Sequence, residues 1–199
     1  MVETPMLVPR MGQVMRYVVE RGQVAHEEPR IGLRRGTVRV VPSDDGWPAA
    51  FAQERRRLCE RIGHLVLDIQ HVGSTAVPGL AAKPIIDIAV AVASPADVQR
   101  CRPLLVELGY IDRGDRDRKG GFVFVKERAP DVRTHHLHMV TIDDPQWANY
   151  LRFRDRLRAD VALRTEYASL KWKLRERFAC DRQGYTEAKD AFIRRVVAQ

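Results

Sequence analysis

The segment "PIIDIAVAV", Pro84 to Val92, constrains the fold more than any other stretch of the chain. It is apolar on both faces, which predicts a central strand covered on both sides. Alternation with period two puts Ile86, Ile88, Val90 and Val92 on one face. Ile85, Asp87, Ala89 and Ala91 take the other, where small residues beside a carboxylate are expected to leave space for a ligand. An ionised acid in a central strand is costly unless it is paired or coordinated. A partner, metal or ligand is therefore expected next to Asp87; the alternative is a buried acid satisfied by backbone donors or an arginine.

Other elements fall around this strand. "TVRVV" (37–41) reads as a short β-branched strand. "SDDGWPAAFAQERRRLCERI" (43–62) reads as a helix with Ser and Asp capping candidates, Pro48 near its start, and Phe51, Leu58 and Ile62 at helical spacing. Residues 65–72 predict a second strand that leads straight into a Gly-Ser-Thr turn. Residues 95–108 predict a helix, and "DRGDRDRKGG" (112–121) a charged loop punctuated by glycine. Residues 122–126 and 133–141 predict a strand pair, followed by helices at 145–159, 160–178 and 186–198. This order predicts an α+β sheet with a C-terminal helical cap. Residues 1–36 read as an N-terminal extension: a short helix in "RMGQVMRYVVERGQVA", then a linker in "EEPRIGLRRG". "LVPR" (7–10) resembles a protease site used in expression vectors. Residues 37–199 are expected to form one domain.

Composition narrows the class of function. Cys59, Cys101 and Cys180 are far apart and form no C-x-x-C pair, which argues against a disulfide framework or a cysteine zinc site and for a reducing cytoplasm. No apolar run approaches the ~18–20 residues of a membrane helix, so no membrane partner is expected. The formal net charge is +8, and residues 150–199 carry 13 basic against 7 acidic residues, while 37–149 carry 15 of each. Such a surplus suits an anionic ligand, or else describes a solvated helical surface. Six of the 34 basic residues are lysines, at 83, 119, 126, 171, 173 and 189. Lysine and arginine are not interchangeable, so a lysine in so arginine-rich a chain is informative.

Three constellations carry candidate chemistry. Gly73, Ser74 and Thr75 follow a strand directly, and successive amides there can cradle phosphate, with Lys83 to neutralise it. Together with Asp87 on the next strand this is the logic of nucleotidyl transfer, in which a carboxylate holds Mg²⁺. In "RTHHLHMV" (133–140), His136 and His138 share one strand face, opposite Leu137 and Met139, and could ligate a metal or contact phosphate. His71, two residues before Gly73, is expected to approach the same cleft. Two Tyr-x-x-x-Lys units, "YASLK" (Tyr167 to Lys171) and "YTEAK" (Tyr185 to Lys189), put ring and ammonium on one helical face. They read either as core tyrosines with snorkelling lysines or as a base-stacking or phosphate-binding wall.

"HVGSTAVPGLAAKPIIDI", "WPAAF", "HHLHMV", "FRDRLR", "YASLK" and "YTEAKDAFI" together closely resemble the GrpB family, over about residues 37–197. The resemblance implies a nucleotidyltransferase-like mixed β-sheet flanked by helices. It implies a nucleoside triphosphate or another phosphorylated small molecule as partner, with a divalent metal (Mg or Mn, or a transition metal) as cofactor. Carried onto this sequence, Asp87, His136 and His138 are the candidate catalytic and metal-binding residues. Gly73, Ser74, Thr75, Lys83, Lys171, Tyr185 and Lys189 are the candidate nucleotide-binding residues. The superfamily strand usually carries two acids with one residue between them, yet here Ala89 follows Asp87. His136 and His138 stand where a third acid is expected. Nucleotidyl transfer to a small acceptor is the leading expectation. The alternatives are a non-catalytic module that binds nucleotide, RNA or protein, with nucleic acid the lesser partner, and a histidine-ligated metal protein.

Overall fold

The computed structural model describes residues 31–115 and 121–198. The helix expected at 10–25 and the middle of the charged loop lie outside them. Six strands form one mixed sheet: β1 (Leu33–Arg34), β2 (Asp68–Val72), β3 (Ile86–Val92), β4 (Tyr110–Asp112), β5 (Phe122–Ala129) and β6 (Val132–Thr141). Their order is β2-β3-β6-β5-β4, with β1 paired to the start of β6. β3 lies antiparallel to β2 and parallel to β6; the other pairings are antiparallel. Five helices complete the described fold: α1 (Trp47–Ile62), α2 (Pro95–Glu107), α3 (Pro145–Ala159), α4 (Val161–Arg177) and α5 (Arg182–Val197).

β3 is central, as its apolar run predicts. Ile86, Ile88 and Val90 face α1 and α2 and pack with Leu58, Ile62, Val98, Cys101, Leu105, Leu137 and Met139. On the other face Ala89 and Ala91 are fully buried against Val72, Val140 and Trp147 of α3. The small residues therefore do not leave the open space expected of them; they admit a tryptophan instead. At the start of the strand, by contrast, the Asp87 side chain keeps 32% of its surface exposed.

The last three helices begin where an aspartate can cap them. The Asp144, Asp160 and Asp181 side chains accept from the amides of Gln146, Leu163 and Gly184 respectively, each satisfying a first-turn donor with no helical partner. Asp181 is why α5 starts four residues earlier than expected, in spite of Gly184. α3, α4 and α5 share a core of Val77, Leu80, Phe153, Leu157, Leu163, Tyr167, Phe192 and Val196.

Two expectations at the front of the domain need correction. Residues 37–41 form no strand. Val41 makes an isolated bridge with Ala82, while Val38 and Val40 pack against Ala81, Leu174 and Tyr185. Their β-branched side chains are used for burial under the C-terminal helices, not for a ladder. Conversely, the sheet begins inside the stretch taken for linker, because buried Leu33 pairs with Arg133. β4 was hidden by its length of three residues and by Asp112, which reads as the start of the charged loop.

Ile88 is fully buried between α1, α2 and β6. Truncation to Ala should cost about 2–5 kcal/mol, measured as a lower urea midpoint with an unchanged slope.

Candidate functional site

β2 ends at Val72, and Gly73 then takes φ +69° before a one-turn 3₁₀ segment, Ser74–Ala76. A side chain is excluded at Gly73 on two counts: the left-handed backbone, and the approach of Asp87, whose Oδ2 would lie 2.5 Å from an added Cβ. The turn and the acid are thus in contact, as the sequence predicts. The amides of Ala76 and Val77 bond back to the carbonyls of Gly73 and Ser74, which closes the turn. Those two amides cannot also serve an anion.

Parallel pairing sets Asp87 opposite His136, and Ala89 opposite His138. His136 Nδ1 lies 3.2 Å from Asp87 Oδ1, and Arg182 Nη2 lies 3.4 Å from His136 Nε2. An arginine can only donate, so Nε2 is the acceptor and Nδ1–H donates to the carboxylate. Burial outweighs the pull of Asp87 and lowers the His136 pKa to about 4, so the ring is neutral. For Asp87, burial opposes ionisation, but the hydrogen bond from His136 and the nearby histidines and Lys83 prevail and hold it at about 2. The Asp87 side chain remains 32% exposed. It is a solvent-reachable carboxylate, fixed by Gly73 on one side and His136 on the other.

Four cations surround this pair. Lys171 is 2% exposed and donates to Ser74 Oγ (3.1 Å) and to the Ala81 carbonyl. Its pKa falls well below the ordinary lysine value because of burial, then Lys189 and Lys83. Lys83 falls to about 7 through burial, Lys189 and Arg182; Lys189 falls to about 8, chiefly through burial. Arg182 was missed in the sequence. Its signal was available, since Arg182, Tyr185 and Lys189 follow the i, i+3, i+7 spacing of one helical face.

The Tyr-x-x-x-Lys units form as their spacing predicts, with each lysine 4.6 Å from its tyrosine ring centroid. Neither ring offers a face to a base. Tyr167 stacks on Phe192 and meets Phe153 edge-on, and buried Tyr185 has both Lys83 and Lys189 over it. The tyrosines are core residues that hold lysines in place.

The structure brings Gly73, Ser74, Lys83, Asp87, His136, Lys171 and Lys189 together, but not His71 or the hydroxyl of Thr75. His71 pairs with Ile88 in the sheet, turns to the α1 face, stacks on Phe51 and bonds to Thr75 Oγ1 at 3.0 Å. Thr75 Oγ1 also donates to the Ile85 carbonyl. His138 lies one pair further along β6, with its ring against Tyr150 and 6.5 Å from that of His136.

A divalent cation is the cofactor that the resemblance implies. Among the described residues no three His, Cys, Asp or Glu side chains converge as a ligand set. Asp87 Oδ1 and both nitrogens of His136 already have partners, and the remaining neighbours are cationic. These side chains do not fit a resident metal.

A family model described as GrpB protein matches residues 37–199. The glutamate-rich protein GrpB of Alkalihalophilus pseudofirmus is 37% identical over 166 residues, covering 82% of this chain and 95% of that protein. A UPF0157 protein of Pseudomonas aeruginosa is 38% identical over 164 residues, covering 81% of this chain and 67% of that protein. The crystal structure of conserved protein GrpB from Enterococcus faecalis superposes with a TM-score of 0.73 at 33% identity, covering 80% of this chain and 95% of that one. No described helix is long and apolar enough to cross a membrane.

The lowered lysine values set a pH dependence. From about 7, the value for Lys83, up to about 9, where Cys101 begins to act in the opposite sense, the unfolded chain binds protons that the folded chain lacks. Stability should therefore rise with pH across that window. Urea unfolding at several pH values measures this, and Lys83→Met should flatten the rise. A flat or falling curve for the parent protein would show that the amines keep their protons in the fold.

Proposed function

The chain belongs to the GrpB family, and we propose that its cleft binds the phosphate groups of a phosphorylated small molecule, a nucleoside triphosphate foremost. The observation that carries this reading is the gathering of Lys83, Lys171, Lys189 and Arg182 around the Gly73–Ser74 turn, beside a single strand carboxylate. Burial and mutual repulsion make each lysine unfavourable as a cation. A polyanion would reverse that, because an opposite charge nearby favours the charged amine.

The side chains divide the work. Ser74 Oγ accepts from Lys171 and is hydrogen-bonded to the Tyr167 side chain, so the two helix residues fix the turn and Lys171 acts as a positioning residue. Lys83 and Lys189, steadied on the Tyr185 ring, meet the anion as mobile charges. Arg182 offers planar, forked donors suited to phosphate. Asp87 repels the anion from the strand, so the phosphates are held against the lysines and the turn. Nucleotidyl transfer asks for more than this: Ala89 stands in place of a second acid and is sealed beneath Trp147. Binding without turnover is the version that the geometry favours.

Calorimetric titration with ATP, GTP, CTP and UTP, each with and without Mn²⁺, tests the reading. At least one should bind without any added cation. Lys83→Met and Lys189→Met should each weaken it about tenfold, the equivalent of one charge-assisted hydrogen bond. Asp87→Asn should tighten cation-free binding, because it removes a repelling charge. No binding under any condition overturns the proposal. Binding that requires Mn²⁺ and is lost in Asp87→Asn replaces it with a cation-mediated site.

A further inference from the structure

Lys83 and Lys189 differ from the other buried or half-buried lysines among the described residues. Lys126 is tied to Glu54, and Lys171 to Ser74 and the Ala81 carbonyl. Lys83 and Lys189 make no hydrogen bond among the described residues, and the Nζ of neither is sealed from solvent. Both lie over the same Tyr185 ring, 5.1 and 4.6 Å from its centroid. The backbone that carries Lys83 is pinned on both sides. Ala82 exchanges hydrogen bonds with Val41, and the Pro84 carbonyl accepts from the Gly32 amide. Lys189 comes from α5, two turns after Arg182.

The two amines are not chemically equivalent. Burial, then Lys189 and Arg182, bring Lys83 to about 7, while burial brings Lys189 to about 8. Lys83 therefore gives up its proton first, and between those values a neutral amine stands near an ammonium. A lysine neutralised by burial and a neighbouring cation is a nucleophile toward carbonyl carbon. Its neighbour, still charged, is a proton donor. Asp87 favours the cationic form of Lys83, and so favours an iminium at the same nitrogen.

We propose that Lys83 forms a reversible imine with a phosphorylated aldehyde or ketone, an assignment of substrate class that rests on the phosphate-binding reading of the cleft. Arg182 and the Ser74 turn hold the phosphate, which delivers the carbonyl carbon to Lys83 Nζ. The amine lone pair forms the C–N bond as the carbonyl π pair moves to oxygen, and an N–H proton follows to give a carbinolamine. Lys189 then protonates the hydroxyl, which departs as water while the nitrogen lone pair closes the C=N bond. The iminium returns a proton to Lys189. Amine and carbonyl become imine and water, with no oxidant or further reactant. A nucleoside triphosphate carries no aldehyde or ketone, so it fills the phosphate site and blocks the reaction.

Reductive trapping tests the proposal. The protein is incubated between pH 7 and 8 with glycolaldehyde phosphate, or with glycolaldehyde as control, each with cyanoborohydride, and modified lysines are located by peptide mass spectrometry. Lys83 should be modified about tenfold faster than any other lysine, and about tenfold faster with the phosphorylated aldehyde than with the control. ATP should slow the trapping. Lys189→Met should slow it as well and move its pH profile upward, because the cation that lowers Lys83 is gone; a merely structural role for Lys189 would not move that profile. No modification of Lys83 overturns the proposal, as does equal modification of exposed lysines such as Lys173. Equal rates with the two aldehydes, or ATP that binds without slowing the trapping, overturn it too. Calorimetry reads nucleotide binding separately. A cleft that binds ATP but leaves Lys83 unmodified refutes the imine alone. Phosphate-dependent trapping without triphosphate binding supports the imine and overturns the nucleotide as occupant.

Discussion

The register between β3 and β6 is the constraint on which the cleft depends. Parallel pairing puts Asp87 beside His136, so the carboxylate gains a neutral N–H donor at the point where it leaves the covered part of the sheet. A slip of one residue would set Asp87 against His135 or Leu137, whose side chains belong to the other face. The register is held by the aliphatic face, where Ile86, Ile88 and Val90 pack with Leu137, Met139 and the helices α1 and α2, and buried His135 and His71 sit opposite Ile86 and Ile88. Hydrophobic packing on one side of the strand therefore positions the chemistry on the other.

Choice of cation has a physical consequence in this chain. Arginine keeps its proton under nearly all conditions, while a buried lysine can lose it. Elsewhere the chain uses arginine almost throughout, yet three of its six lysines surround the Ser74 turn. A cleft walled by arginines alone would stay fully charged with or without an anion. One built on lysines that are easily neutralised can relax when no anion is present, and so it avoids much of the self-repulsion that a fixed positive cluster would impose on the fold.

Much of this was legible in the sequence because it follows from periodicity. The two faces of β3, the shared face of His136 and His138, and the i, i+4 placement of tyrosine and lysine all appear as spacing predicts. What periodicity could not show was what packs against each face. Ala89 and Ala91 suggested a void because a small residue reads alike whether it faces a ligand or a tryptophan from a helix some 56 residues later. His71 was assigned to the cleft on proximity in sequence, but strand parity turns it to the other face. Residues 37–41 have strand composition with no more than an isolated bridge at Val41, because Val38 and Val40 are used in the packing of the C-terminal helices.

The long reach between cleft partners has a kinetic meaning. Asp87 and His136 are 49 residues apart, with α2, β4 and β5 intervening, and Ser74 and Lys171 are 97 apart. Contacts of that range require the closure of long loops before any reward is felt, and such contacts form late in folding. Nascent or partly melted chains would hold strands and helices but no assembled cleft, so ligand affinity is a property that only the completed molecule can express.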